Sequence, residues 1–118
     1  MNINKPVLLI DEEKCRANIQ RMASLCADKK MSFRPHFKTH QSLAVGKWFK
    51  EVGVSKIAVS SLSMAEYFSK EWNDILVAFP TNVLEDELIN HLAQRIHLNL
   101  LVESLETISL LADMVKFP

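Results

Sequence analysis

Short apolar runs alternate five times with longer stretches of helical periodicity along this chain, and that alternation limits the fold more than any other feature. The runs are Val7 to Ile10, Met31 to Lys38, Ile57 to Ser60, Ile75 to Phe79 and Ile96 to Val102. Each is followed by apolar residues at helical spacing, such as Cys15, Ile19, Met22 and Cys26 after the first. Strands that alternate with helices imply right-handed crossovers and a parallel sheet, closed either as an open doubly wound sheet or as a barrel. Boundary signals agree with the pattern. Asp11 and Ser104 stand at helix N-cap positions, Ser63-Met64-Ala65-Glu66 reads as a capping box, and Gly53 ends the second helix. The only glycines are Gly46 and Gly53, and neither lies in a strand-to-helix turn. A glycine-rich dinucleotide fingerprint and a P-loop are therefore absent.

The 118 residues carry fourteen basic and fourteen acidic side chains, so no overall charge draws the chain to nucleic acid or to an anionic membrane surface. The expected partner is a small molecule or another protein. Val7 to Ile10 is too short for a signal-peptide core, and no apolar stretch reaches membrane-spanning length. The two cysteines, Cys15 and Cys26, fall on one helical face and read as buried, reduced thiols. These features together give a cytoplasmic expectation.

The segment Arg34-Pro35-His36-Phe37-Lys38-Thr39-His40 differs from ordinary strand filler. Read with a period of two, it places Arg34, His36, Lys38 and His40 on one face and Phe33, Pro35, Phe37 and Thr39 on the other. A row of cations has no place in an aliphatic interior, but it suits the C-terminal mouth of a barrel, where barrel enzymes keep their sites. A solvated basic edge strand would give the same spacing. Desolvation at such a mouth favours the neutral amine that attacks a carbonyl, which makes Lys38 the candidate nucleophile.

This segment resembles the cofactor-lysine motif of the D-threonine aldolase and D-serine dehydratase group, relatives of the alanine racemase N-terminal barrel. Val7-Leu8-Leu9-Ile10-Asp11, Ser63-Met64-Ala65-Glu66, Asp74 through Pro80 and Leu101-Val102-Glu103-Ser104 resemble the group's further landmarks in order. The resemblance implies a (β/α)8 barrel of pyridoxal-phosphate (PLP) fold type III, of which about five βα units are present here. It makes Lys38 the Schiff-base lysine and assigns His36 and His40 to the lining of the cofactor pocket. Glu66 also matches, but its capping role is sufficient.

A complete barrel of this kind takes about 250 residues and eight strands. By the resemblance, residues 1–118 form an incomplete PLP-binding barrel domain, with the remaining strands and a C-terminal β domain lying outside them. The full-length parent is expected to be a homodimer that acts on D-amino acids bearing a β-hydroxyl, by retro-aldol cleavage of D-threonine or dehydration of D-serine. A divalent metal is expected only in that parent, and no complete metal site is expected here. The piece alone is expected to be inactive. A non-catalytic PLP carrier and an inactive truncated copy are the alternatives.

Overall fold

Three of the five apolar runs pair into a sheet. The computed structural model describes residues 4–117. In it β1 (Ile57–Val59), β2 (Asp74–Pro80) and β3 (His97–Leu101) lie parallel in the order β1-β2-β3. Helices α1 (Glu12–Asp28) and α2 (Leu43–Glu51) precede the sheet. Helix α3 (Leu62–Phe68) joins β1 to β2, α4 (Asp86–Ala93) joins β2 to β3, and α5 (Leu105–Met114) follows β3. The fold is therefore the parallel α/β arrangement that the alternation requires, but the described residues do not close a barrel.

The register decides which side chains share a face. Ile57 aligns with Ile75 and Leu98, and Val59 with Val77 and Leu100. All six pack on the helices, together with Phe68, Trp72, Ile89 and Leu92. Full burial of such a side chain contributes roughly 1.5–3 kcal/mol, so this face carries most of the hydrophobic stabilisation. The opposite face carries Ala58, Leu76 and Asn99 in register, with Asp74 at its foot.

The first expected strand does not form. Val7 to Ile10 joins no sheet among the described residues, and all four side chains are exposed. A parallel strand exists only through its ladder, and the neighbour that would supply one is itself scarcely a strand. In the second run the only pairing is a parallel bridge between His36 and Ala58, with the Ala58 amide donating to Pro35 O at 2.8 Å. Pro35 is the residue whose carbonyl faces β1, and proline has no amide hydrogen to return. The ladder stops there, and Phe37–Thr39 turn into a 3₁₀ helix. Lys38 thus lies on a turn and not on a strand.

The caps were only partly legible. Asp11 Oδ1 accepts from Lys14 N at 3.1 Å and Ser104 Oγ from Thr107 N at 3.1 Å, as expected. Helix α3 begins two residues earlier than the capping box suggested. Ser61 Oγ accepts from Met64 N at 3.2 Å, and Glu66 is an exposed helix residue that closes no box. In the fourth unit Leu84 is almost fully exposed, and Ile89 takes its place beside Leu92 in the core. The stripes of α1 and α5 are shallow, with only Ile19 and Leu111 buried.

Phe37 sits at the centre of the helix-side packing with no exposed surface. Its ring meets Phe49, Phe68 and Trp72 at centroid distances of 5.1, 5.0 and 5.2 Å. Gly46 on α2 makes room for it, because a Cβ there would come within 3.2 Å of Phe37 Cε2. Gly46→Ala is expected to lower the melting temperature even though alanine favours a helix by about 1 kcal/mol, because a wedged ring cannot yield and overpacking costs about 1–3 kcal/mol. A rise in thermal stability would mean that Phe37 is free to move.

Candidate active site at the Lys38 turn

Lys38 follows the bridge residue His36 at the C-terminal end of the sheet, where the β1 and β2 connections also emerge. Its side chain is exposed and makes no ion pair or hydrogen bond among the described residues. The expected desolvation of this amine is therefore not supplied by residues 4–117. Its backbone is tightly held. The Lys38 amide donates to His36 Nδ1 at 3.2 Å, and Gln41 N donates to Phe37 O at 3.0 Å. Gln41 adopts a left-handed conformation at φ 47°, and Ser42 N then donates to His40 Nδ1 at 3.0 Å.

The period-two reading holds from Phe33 to Phe37 and fails beyond it. Pro35 and Phe37 are buried on the helix side, while His36 shares the opposite face with Ala58. The 3₁₀ turn then carries His40 away from His36. Its ring packs on Phe37 at 4.5 Å, Phe49 at 5.9 Å and Phe68 at 6.3 Å, within the aromatic cluster. His40 therefore does not share a face with His36, and it can reach Lys38 only through the turn.

Arg34 is not a free cation of the site. Its guanidinium donates to Asp74 Oδ1 at 2.8 Å and to Ile57 O at 3.0 Å, and Asn99 Nδ2 donates to the same Asp74 oxygen at 3.0 Å. The chain of contacts crosses from the second run to β3 at the foot of the sheet, the end where barrel residues hold the fold together and do not react.

Two hollows open at the C-terminal end. One of about 290 Å³ is lined by Ser60, Ser61, Thr81, Asn82 and Glu85, but its floor of Val77 and Leu100 belongs to the helix-facing side. The other, of about 460 Å³ and more open, lies beside the Lys38 turn and is lined by Gln41, Ser61, Ser63, Met64 and Tyr67. The second lies nearer the turn, because Gln41 bonds Lys38 O at 3.4 Å, but its Ser63, Met64 and Tyr67 belong to α3, so it too lies on the helix side.

Comparison with known proteins identifies relatives of the chain. The chain is 34% identical over 119 residues to D-serine dehydratase of Dictyostelium discoideum, a match that covers 95% of this chain and 30% of the relative. It is 34% identical over 79 residues to D-threo-3-hydroxyaspartate dehydratase of Delftia sp. strain HT23, covering 66% of this chain and 21% of that protein. The solved Delftia enzyme superposes with a TM-score of 0.86 at 30% identity, over 94% of this chain and 30% of the other. The chain is thus homologous to proteins named D-serine dehydratase and D-threo-3-hydroxyaspartate dehydratase. D-threonine aldolase of Filomicrobium marinum shares the fold, with a TM-score of 0.86 at 23% identity over 94% of this chain and 31% of that one. No family model matches. The chain spans about 30% of the length of the first relative.

Lys38 fits the aldehyde of PLP in kind, because its amine is unengaged among the described residues. No three His, Cys, Asp or Glu side chains converge as metal ligands among the described residues, and no helix among them is long and apolar enough to cross a membrane. Sequence reasoning missed the partners of Arg34. The available signal was a polar residue in an apolar strand, since Asp74 opens the run to Phe79 and Asn99 interrupts Leu98, Leu100 and Leu101.

Two outcomes follow from this geometry. Arg34→Met is expected to cost about 1–2 kcal/mol in denaturant unfolding, because it strands the Asp74 carboxylate and the Ile57 carbonyl, while partial exposure keeps the loss from being larger. An unchanged midpoint would show that the cross-tie contributes nothing. Burial lowers the pKa of His40 below the usual histidine value. With its folded value depressed, the stability His40 contributes is complete above its unfolded pKa of about 6.5 and is lost as the pH falls through the folded value. Unfolding midpoints should therefore fall between pH 7.5 and 5, with a shallower slope in His40→Asn; equal slopes would rule out His40 as a source.

Proposed function

We propose that this chain is the cofactor-bearing part of a PLP-dependent lyase acting on D-amino acids with a β-hydroxyl, and that Lys38 forms the Schiff base with the cofactor. The observation that carries the reading is the placement of Lys38: an unengaged amine on a rigid turn at the C-terminal end of a parallel sheet. Dehydration is favoured over retro-aldol cleavage, because both relatives at 30% identity or more are named dehydratases, while the likeness to the aldolase rests on fold.

Bound PLP would supply an electron sink for the pair left behind when the Cα proton departs, and loss of the β-hydroxyl as water and then of ammonia completes a dehydratase reaction. The residues of this chain have simpler duties. Lys38 supplies the amine that attaches the cofactor aldehyde. His36 lies on the interior face next to it, and the Arg34–Asp74 pair fixes the segment that carries both. Exclusion of water and recognition of the phosphate and ring nitrogen fall to groups beyond residues 4–117, on further strands of the barrel. A divalent metal, if bound as the metal-free form solved for a variant of the Delftia enzyme suggests for that protein, would supply Lewis-acid help to departure of the β-hydroxyl. The substrate is a small D-amino acid and the assembly a homodimer. The unpaired, half-buried thiols of Cys15 and Cys26 suit the cytoplasm.

With PLP, borohydride is expected to fix the pyridoxyl group on Lys38, read by peptide mass spectrometry, and Lys38→Arg should abolish the label together with any turnover of D-serine or D-threo-3-hydroxyaspartate. A label on another lysine would sink the assignment. Chelation should remove activity without removing the label.

A further inference from the structure

The turn that carries Lys38 is bracketed by two histidines used in an unusual way. His36 Nδ1 accepts the amide of Lys38 at 3.2 Å, and His40 Nδ1 accepts the amide of Ser42 at 3.0 Å. Each imidazole thus closes a ring onto the backbone two residues ahead, the same connection an asparagine or aspartate makes in an Asx turn. Elsewhere the chain assigns this duty to oxygen. Asp11, Ser42, Ser61, Asn82 and Ser104 each cap a helix or turn with a side-chain oxygen, as helix starts ordinarily require. Only the two positions flanking Lys38 use a ring nitrogen.

We infer that His36 and His40 are positioning residues for Lys38, two neutral imidazole caps that hold its turn from both sides. The inference rests on the proposed function for what Lys38 does, and on geometry alone for how it is held. A backbone N–H can only donate, so both Nδ1 atoms must be unprotonated acceptors and both rings must carry hydrogen on Nε2. The two rings then differ in their surroundings. His36 stands half-buried in the bridge with Ala58, on the face of the sheet away from the helices. His40 Nε2 is buried without a partner, its ring enclosed by Phe37, Phe49 and Phe68.

His40 therefore does two things with one side chain: it caps the turn into α2, and it ties that cap to the ring of Phe37, the residue immediately before Lys38. His36 caps the turn from the strand side. Protonation of either Nδ1 would replace an acceptor with a donor and break its hydrogen bond, and burial opposes that change at both rings.

The decisive measurement is the tautomer. Long-range proton–nitrogen correlation spectra of the ¹⁵N-histidine-labelled protein at pH 7.5, without cofactor, should show His36 and His40 each as a single Nε2–H tautomer with an unprotonated Nδ1. An Nδ1–H form, or averaging between forms, at either ring would overturn the inference whatever Lys38 does. Three variants then separate the cap from the ring in the borohydride labelling of Lys38 by PLP. His36→Asn keeps an acceptor at the right reach and should label at nearly the wild-type rate, whereas His36→Ala should label about tenfold more slowly, the scale of one lost hydrogen bond. His40→Phe keeps the aromatic packing but deletes the acceptor, and should slow labelling to a similar degree while the fold persists. Equal rates in all three variants, or an equal loss in His36→Asn and His36→Ala, would overturn positioning by capping. If wild-type Lys38 takes no label while both tautomers are as stated, it is the proposed function that fails and the caps that stand.

Discussion

The burial of Phe37 is the constraint on which the rest of this structure depends. Its ring has no exposed surface and touches the aromatic residues of α2, α3 and the loop before β2, so one side chain joins three elements around a single point. Gly46 is small because Phe37 is there. Lys38 is the next residue, so the packing of Phe37 determines where the Lys38 Cα can be. A lysine side chain is long and flexible and can be placed only by its backbone.

The opposite face of the same segment is held by a different kind of force. Arg34 reaches Asp74 and the Ile57 carbonyl, and Asn99 completes the satisfaction of that carboxylate. Ion pairs of this exposure contribute little in net energy, but they fix register, because one hydrogen-bonding arrangement fits and a slipped strand would leave the charges unpaired. The segment makes only one bridge of its own, so it needs this external tie. Aromatic packing on one side and a polar cross-tie on the other replace the ladder that Pro35 prevents.

That substitution also explains which parts of the fold were legible in the sequence. The parallel α/β class followed from alternation, because burial of Ile57, Ile75 and their neighbours against helices is a local pattern repeated along the chain. The strands at Val7 to Ile10 and Met31 to Lys38 were misjudged, because a strand's existence is a property of its neighbour, and the first run finds none among the described residues. Lys38 stood out through its companions and through resemblance. The separation of His40 from His36 could not be read at all, since a period of two carries no information about where a 3₁₀ turn begins. Arg34 looked like part of a basic site until Asp74, forty residues away in sequence, was seen to neutralise it.

Positioning and activation of the lysine are thus separate problems, and these residues solve only the first. A rigid turn fixes where the amine starts, while the reactivity of an amine toward a carbonyl depends on removing water from it. Lys38 remains exposed, and the sheet face beside it, with Leu76 and Ala78, is only half covered. The surfaces left bare lie mostly elsewhere, on Val7 to Ile10, on Leu101 and Val102 after β3, and along α5, where Leu105, Ile108 and Leu110 are exposed. None of the described residues covers the Lys38 amine. A lysine held by its backbone and left in water is the state that residues 4–117 produce.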